Sequence, residues 1–154
     1  MLYGLALLAG IVAGSRTFMA PAAVSWAARL GYLNLDGAWL AFMGYAWTPW
    51  IFTLLALIEL ITDQLPSTPS RKTPPQFGVR LLSGALSGAT LGASGGSSWI
   101  VGLIAGVVGA VIGTYGGADV RARMATAFGR DRPAALIEDA GAIILGLVIV
   151  LALR

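Results

Sequence analysis

The chain contains no cysteine and no histidine. That excludes disulfides, thiol nucleophiles, Cys/His zinc clusters and histidine proton shuttles, and it leaves the redox compartment unreadable. Charge is scarce too. Charged residues make up 11% of the sequence, against roughly a quarter in a typical soluble domain. What remains is apolar: 57% of residues are hydrophobic and the mean hydropathy is +0.81. Such a chain lacks the polar groups to cover its surface, so its outer faces are expected to meet lipid. A length of 154 residues suits one small bundle, a single domain over 1–154. The expected fold is all-α: an integral membrane bundle of about five transmembrane helices.

A hydrocarbon core about 30 Å thick needs roughly 20 helical residues per span. Five stretches qualify, near 2–30, 39–65, 77–94, 99–128 and 134–153. The turn around Gly31 and Gly37, a proline-punctuated polar loop over 66–76, Gly95-Gly96-Ser97-Ser98 and Gly129 to Pro133 separate them. The opening apolar run, Met1 to Gly14, has no Lys or Arg before Arg16, so it is read as a retained helix rather than a signal peptide. The first and fourth stretches are too long for one straight span. Gly14-Ser15-Arg16-Thr17, with Pro21 beyond, is expected to interrupt the first, and Thr114-Tyr115-Gly116-Gly117 the fourth.

Basic residues set the orientation. With five spans, Arg71, Lys72, Arg80, Arg121, Arg123, Arg130 and Arg132 collect on one side, and only Arg29 and Arg154 on the other. This implies the inner (cytoplasmic) membrane of a cell, with the N-terminus cytoplasmic and the C-terminus outside. The loop charges are too few and dispersed for nucleic acid and suit anionic headgroups of the bilayer.

Glycine is abundant, at 21 residues. Gly84, Gly88, Gly92 and Gly96 recur every fourth residue, and Gly102 and Gly106 follow on the next stretch. Small-xxx-small stripes let helix backbones approach closely in lipid. They serve either packing of the third span on the fourth or the face of a homo-oligomer, most simply a dimer. A weak echo links Ala9-Gly10 through Thr17-Phe18 with Ala105-Gly106 through Thr114-Tyr115. It hints at an inverted repeat, a pattern of transporters with broken helices.

Ionisable residues inside spans cost about 2.5–3.5 kcal/mol on insertion scales and need a reason. Arg16 sits at the expected break and requires an acid, freed carbonyls or an anion. Glu59 and Asp63 share a helical face. Glu138 and Asp139 open the last span, where acids also suit the helix dipole. Asp119 lies beside Arg121 and Arg123. Two readings stand side by side. One is a cytoplasm-facing polar vestibule walled by Glu59, Asp63, Glu138 and Asp139 and balanced by Arg80, Arg121 and Arg123; the other is a structural ion-pair network.

Carboxylates without His or Cys accept protons, sodium or hard divalent ions. No GxSxG, HExxH or P-loop lysine is present, so neither an enzyme nor a cofactor is expected. The leading expectation is a transporter or channel for a small ion or solute. The alternative is a non-transporting membrane scaffold, or a module binding lipid or a partner, whose charges are structural.

Gly14-Ser15-Arg16 with Pro21, Glu59 with Asp63 and Pro66, Arg80 with Gly84-Ala85-Leu86, Asp119-Val120-Arg121 and Glu138-Asp139 stand in an order and spacing that resembles a family. It is that of small bacterial membrane proteins grouped as domain of unknown function 4126. The resemblance spans nearly the whole chain. It implies a helical membrane protein in which Arg16, Glu59, Asp63, Arg80, Glu138 and Asp139 share one site, and it supplies no activity. The family pattern often has proline after the arginine matching Arg80, where this chain has Leu81. It also often has His or Lys near 114–118, absent here, which puts a histidine-based mechanism in doubt.

Overall fold

The structure, a computed structural model, describes residues 1–65 and 70–154. Residues 66–69 of the expected polar loop, Pro66 among them, lie outside the described residues. Among the described residues there are six α-helices, two short 3-10 segments and no strand. The helices are α1 (Leu2–Ser15), α2 (Met19–Arg29), α3 (Thr48–Thr62), α4 (Pro74–Ala93), α5 (Trp99–Phe128) and α6 (Asp131–Leu153). Prolines sit in the first turns of α2, α3, α4 and α6, where a missing N–H costs nothing. Gly129, at φ 69°, ends α5 in the left-handed conformation that glycine tolerates best. Two helices, α5 and α6, are long and apolar enough to cross a membrane.

Several expectations need correcting. The stretch 39–65 is not one helix: a 3-10 segment, Trp39–Gly44, precedes α3, which begins at Thr48-Pro49. The fourth stretch is not interrupted, because α5 runs unbroken through Thr114–Gly117 for 30 residues. Each glycine there weakens the helix by about 1 kcal/mol, but Gly113 and Gly117 lie where α1, Arg71 and Glu138 press against the backbone. Without a break in α5, the proposed repeat loses its matching feature.

The interruption in the first stretch is real, and it reverses the chain. Tyr3, early in α1, accepts a hydrogen bond from Ser98 N at the start of α5 (3.0 Å). Gly10 packs on Gly106 and Gly109, and Gly14 on Ala110 and Thr114, so α1 runs parallel to α5. After the break, α2 returns. Asn34, just beyond it, donates its backbone N–H to Ser94 Oγ (3.2 Å), at the end of the bundle from which α1 set out. Gly146, late in α6, faces Met19 and Ala23, and Val150 shares a groove with Trp26 and Leu30. Met1 and Arg154 therefore lie at the same end of the bundle. The expected arrangement with termini at opposite ends fails, because residues 16–18 form a reversal rather than a kink within one pass.

The packing core is α1, α4 and α5. Gly84, Gly88 and Gly92 of α4 meet Gly102 and Gly106 of α5, while Gly109 and Gly113 on another face of α5 meet α1. At most of these positions a Cβ would strike the backbone of the opposing helix. The stripe is thus consumed within the chain, and a dimer must use a different surface. Gly96 is not part of it: it sits at φ 76° in the turn before α5, with open space around it.

Candidate functional site: the charged reversal between α1 and α2

A helix end leaves backbone groups without partners, and at residues 14–18 two ends meet. Burial denies them water, so other helices must supply the partners. Arg80 of α4 donates from Nη1 to the carbonyls of Gly14 and Ser15, 3.0 Å each, closing the C-terminus of α1. Thr114 of α5 adds a long contact to Gly14 O (3.4 Å). Glu59 of α3 accepts from Thr17 N–H (2.7 Å) and Phe18 N–H (3.0 Å), closing the N-terminus of α2. The Ser83 hydroxyl donates to Thr17 O. A cation at the C-terminus and an anion at the N-terminus each match the local helix dipole. The two caps stand 3.7 Å apart, Arg80 Nη2 to Glu59 Oε1.

Arg16 lies between these caps in extended conformation (φ −135°, ψ 110°) and is completely buried. Its Nε donates to Asp139 Oδ1 (2.6 Å). Nη1 pairs with Asp63 and Nη2 with Asp139, and Glu138 Oε2 stands 3.6 Å from Nη2. Gln64 Nε2 donates to the second oxygen of Asp139 (3.0 Å). One guanidinium thereby joins the reversal to the end of α3 and the third turn of α6. Burying an unpaired guanidinium would be prohibitive; the fork geometry of arginine lets two carboxylates share it.

A second layer lies beyond. Arg71 donates two hydrogen bonds to Glu138 (2.5 and 2.9 Å). Arg121 reaches Glu138 (3.4 Å) and makes two bonds to Asp131 (3.0 and 2.6 Å). Above this layer opens a cavity of about 510 Å³, lined by Asp63, Arg71, Arg80, Arg121, Asp131 and Arg132 among others. A groove of about 500 Å³ lies on the other side of Asp63, with Thr17, Phe18, Glu59 and Thr62 in its wall.

The structure thus brings Arg16, Glu59, Asp63, Arg80, Arg121, Glu138 and Asp139 into one cluster. It leaves Asp119 and Arg123 out, since the two pair with each other (3.0 Å) on the exposed face of α5. Arg71, Gln64, Ser83 and Asp131 are members that sequence reasoning missed. Arg71 stands in the proline-rich stretch and reads there as one more loop cation; nothing in its spacing reveals that it is buried. Among the described residues, no group of three carboxylates is placed to hold a metal ion. Arg16 occupies the point that Asp63 and Asp139 face.

Fold and site together define a glycine-packed helical bundle built around a buried, charge-capped chain reversal. Comparison with family models, curated proteins and solved structures gave no match.

Proposed function

We propose that this is a multi-pass protein of the inner membrane, a member of the family it resembles, and a transporter or channel for a small ion or solute. Its charged cavity is the cytoplasmic vestibule. The observation that carries the reading is the reversal at Arg16, placed beneath an open charged cavity and capped on both sides by side chains from other helices. Broken helices near mid-membrane line the sites of many transporters. Irregular backbone at that depth persists only where protein buries it or a cavity adjoins it.

The membrane reading draws on the outer surface. Only 17% of the apolar window of α6, and 33% of that of α5, is buried within the fold. Ile51, Leu54, Ile104, Ile144 and Leu147 are among the large apolar side chains left outward. A core helix of a soluble protein would hide such residues. At 14 and 11 residues, α1 and α2 extend about 21 and 17 Å, each short of the hydrocarbon thickness of about 30 Å. Together they form a re-entrant pair that enters from one side and returns to it. With the basic end cytoplasmic, both termini face outward.

Flux into proteoliposomes tests this, using ion- and solute-sensitive probes. Wild type is expected to conduct, and Glu59→Gln and Arg16→Ala to lose flux while Glu59→Gln stays monodisperse. Vesicles that remain tight to every solute screened would end the transport reading. A scaffold is the second reading, favoured by the full burial of Arg16 and its engagement by two carboxylates. It expects tight vesicles and an Arg16→Ala chain that no longer folds.

A further inference from the structure

We propose that the vestibule binds a small oxyanion of the phosphate type. The inference rests on the vestibule reading and names the chemistry of its ligand. Four guanidinium groups, Arg71, Arg80, Arg121 and Arg132, line the cavity, against two carboxylates, Asp63 and Asp131. Both carboxylates are already engaged, Asp63 by Arg16 and Asp131 by two bonds from Arg121. Glu138 ties Arg71 and Arg121 from behind. The surplus of hydrogen-bond donors falls on the other two arginines. Arg80 directs Nη1 at neutral carbonyls, its Nη2 stands 3.7 Å from Glu59, beyond hydrogen-bond reach, and its buried Nε has no hydrogen-bond partner. Arg132, at the exposed rim, forms no ion pair with any described residue.

The imbalance is one of donors. Among the described residues, no buried carboxylate oxygen lacks a partner, whereas Arg80 Nε does. A wall of four guanidinium groups, whose two carboxylates are already engaged, selects a ligand rich in acceptors. Arginine forks match the oxygens of phosphate better than those of any cation or neutral solute. The volume falls within the range of small-molecule sites, about 300–1,000 Å³. It accommodates either free phosphate or the phosphate of a lipid headgroup entering from the membrane.

The test is equilibrium binding of inorganic phosphate to the purified full-length chain in non-ionic detergent, at fixed ionic strength. Saturable binding is expected, weakened about tenfold by Arg132→Gln, the loss of one charge-assisted contact. Arg130→Gln, an exposed arginine outside the cavity lining, should leave the affinity unchanged. No saturable binding would overturn the proposal. So would equal weakening by both substitutions, which marks diffuse surface charge, or binding of sodium or potassium with phosphate inert. The source is read in nanodiscs. Phosphate binding that survives in phosphatidylcholine but vanishes in phosphatidylglycerol assigns the site to a lipid headgroup; binding equal in both assigns it to the free anion. Phosphate binding by a chain whose vesicles are tight keeps this site and removes transport. Cation flux without phosphate binding does the reverse.

Discussion

Substituting Gly84 by alanine isolates the close approach of α4 to α5. A Cβ built there stands 2.6 Å from Gly106 O and 2.8 Å from Ala110 Cβ, whereas ordinary contact begins near 3.4 Å. The helices must therefore part locally by roughly 0.6–0.8 Å, and the Gly106 atom in the way is backbone, which cannot rotate aside. A gap of about 0.5–1 Å forfeits a quarter to a half of each dispersion contact it opens. In lipid, that contact is most of what joins two apolar helices. Overpacking of this kind costs about 1–3 kcal/mol, and the better helix propensity of alanine returns up to about 1 kcal/mol. The expected net loss is about 1–2 kcal/mol. Gly141→Ala supplies the control. It lies in α6 with nothing within 4 Å of the point its new methyl would occupy, so it should keep the propensity gain alone. Reversible unfolding in mixed micelles, raised in SDS and followed by tryptophan fluorescence, measures both. Equal stability of Gly84→Ala and wild type, or an equal loss in Gly141→Ala, would refute the packing argument.

Three further outcomes follow from the charged reversal. Arg16→Met should destabilise the bundle by about 3–5 kcal/mol, because buried Asp139 and half-buried Asp63 are left without their cation. Adding Asp63→Asn and Asp139→Asn should recover much of that loss, as the same unfolding assay would show. Glu59→Ala should cost about 1.5–3 kcal/mol, the range for hydrogen bonds to a charged group, since it leaves the Thr17 and Phe18 amides just ahead of α2 without their acceptor. Glu59→Gln, which keeps one acceptor, should cost less, and equal losses would deny the capping role. Single cysteines placed at Tyr3 and Leu153 should react with an impermeant maleimide from the same side of the membrane. One at Arg123 should react from the opposite side. The chain has no native cysteine to confuse the labelling.

Much of the site was legible in the sequence because charge in an apolar helix is rare enough to stand out. Arg16 beside Gly14, Ser15 and Thr17 marked a break, and Glu59, Asp63, Glu138 and Asp139 were the acids deep enough to reach it. The glycine spacing foretold close helix contact. The direction of the chain after the break was not legible. Apolar residues flank it on both sides, and hydropathy looks the same for a helix that continues and one that turns back. Only the contacts of Tyr3 with Ser98 and Asn34 with Ser94 separate the two. Thr114–Gly117 misled for a related reason: glycine and threonine weaken a helix locally, while the neighbours that hold α5 straight come from distant parts of the chain. Arg71 escaped notice because its partner, Glu138, is 67 positions away.

The parallel pairing of α1 with α5 also bears on how the protein is made. The glycine face of α1 meets a helix some 95–100 positions later in the chain. At about 5–20 residues per second of synthesis, α1 waits on the order of 5–20 s for it. During that interval a short helix ending in a bare arginine must be sheltered, by the translocon or an insertase, or remain at the interface. Substitutions that delay the emergence of α5 should therefore lower the yield of folded protein even where they leave its final stability untouched.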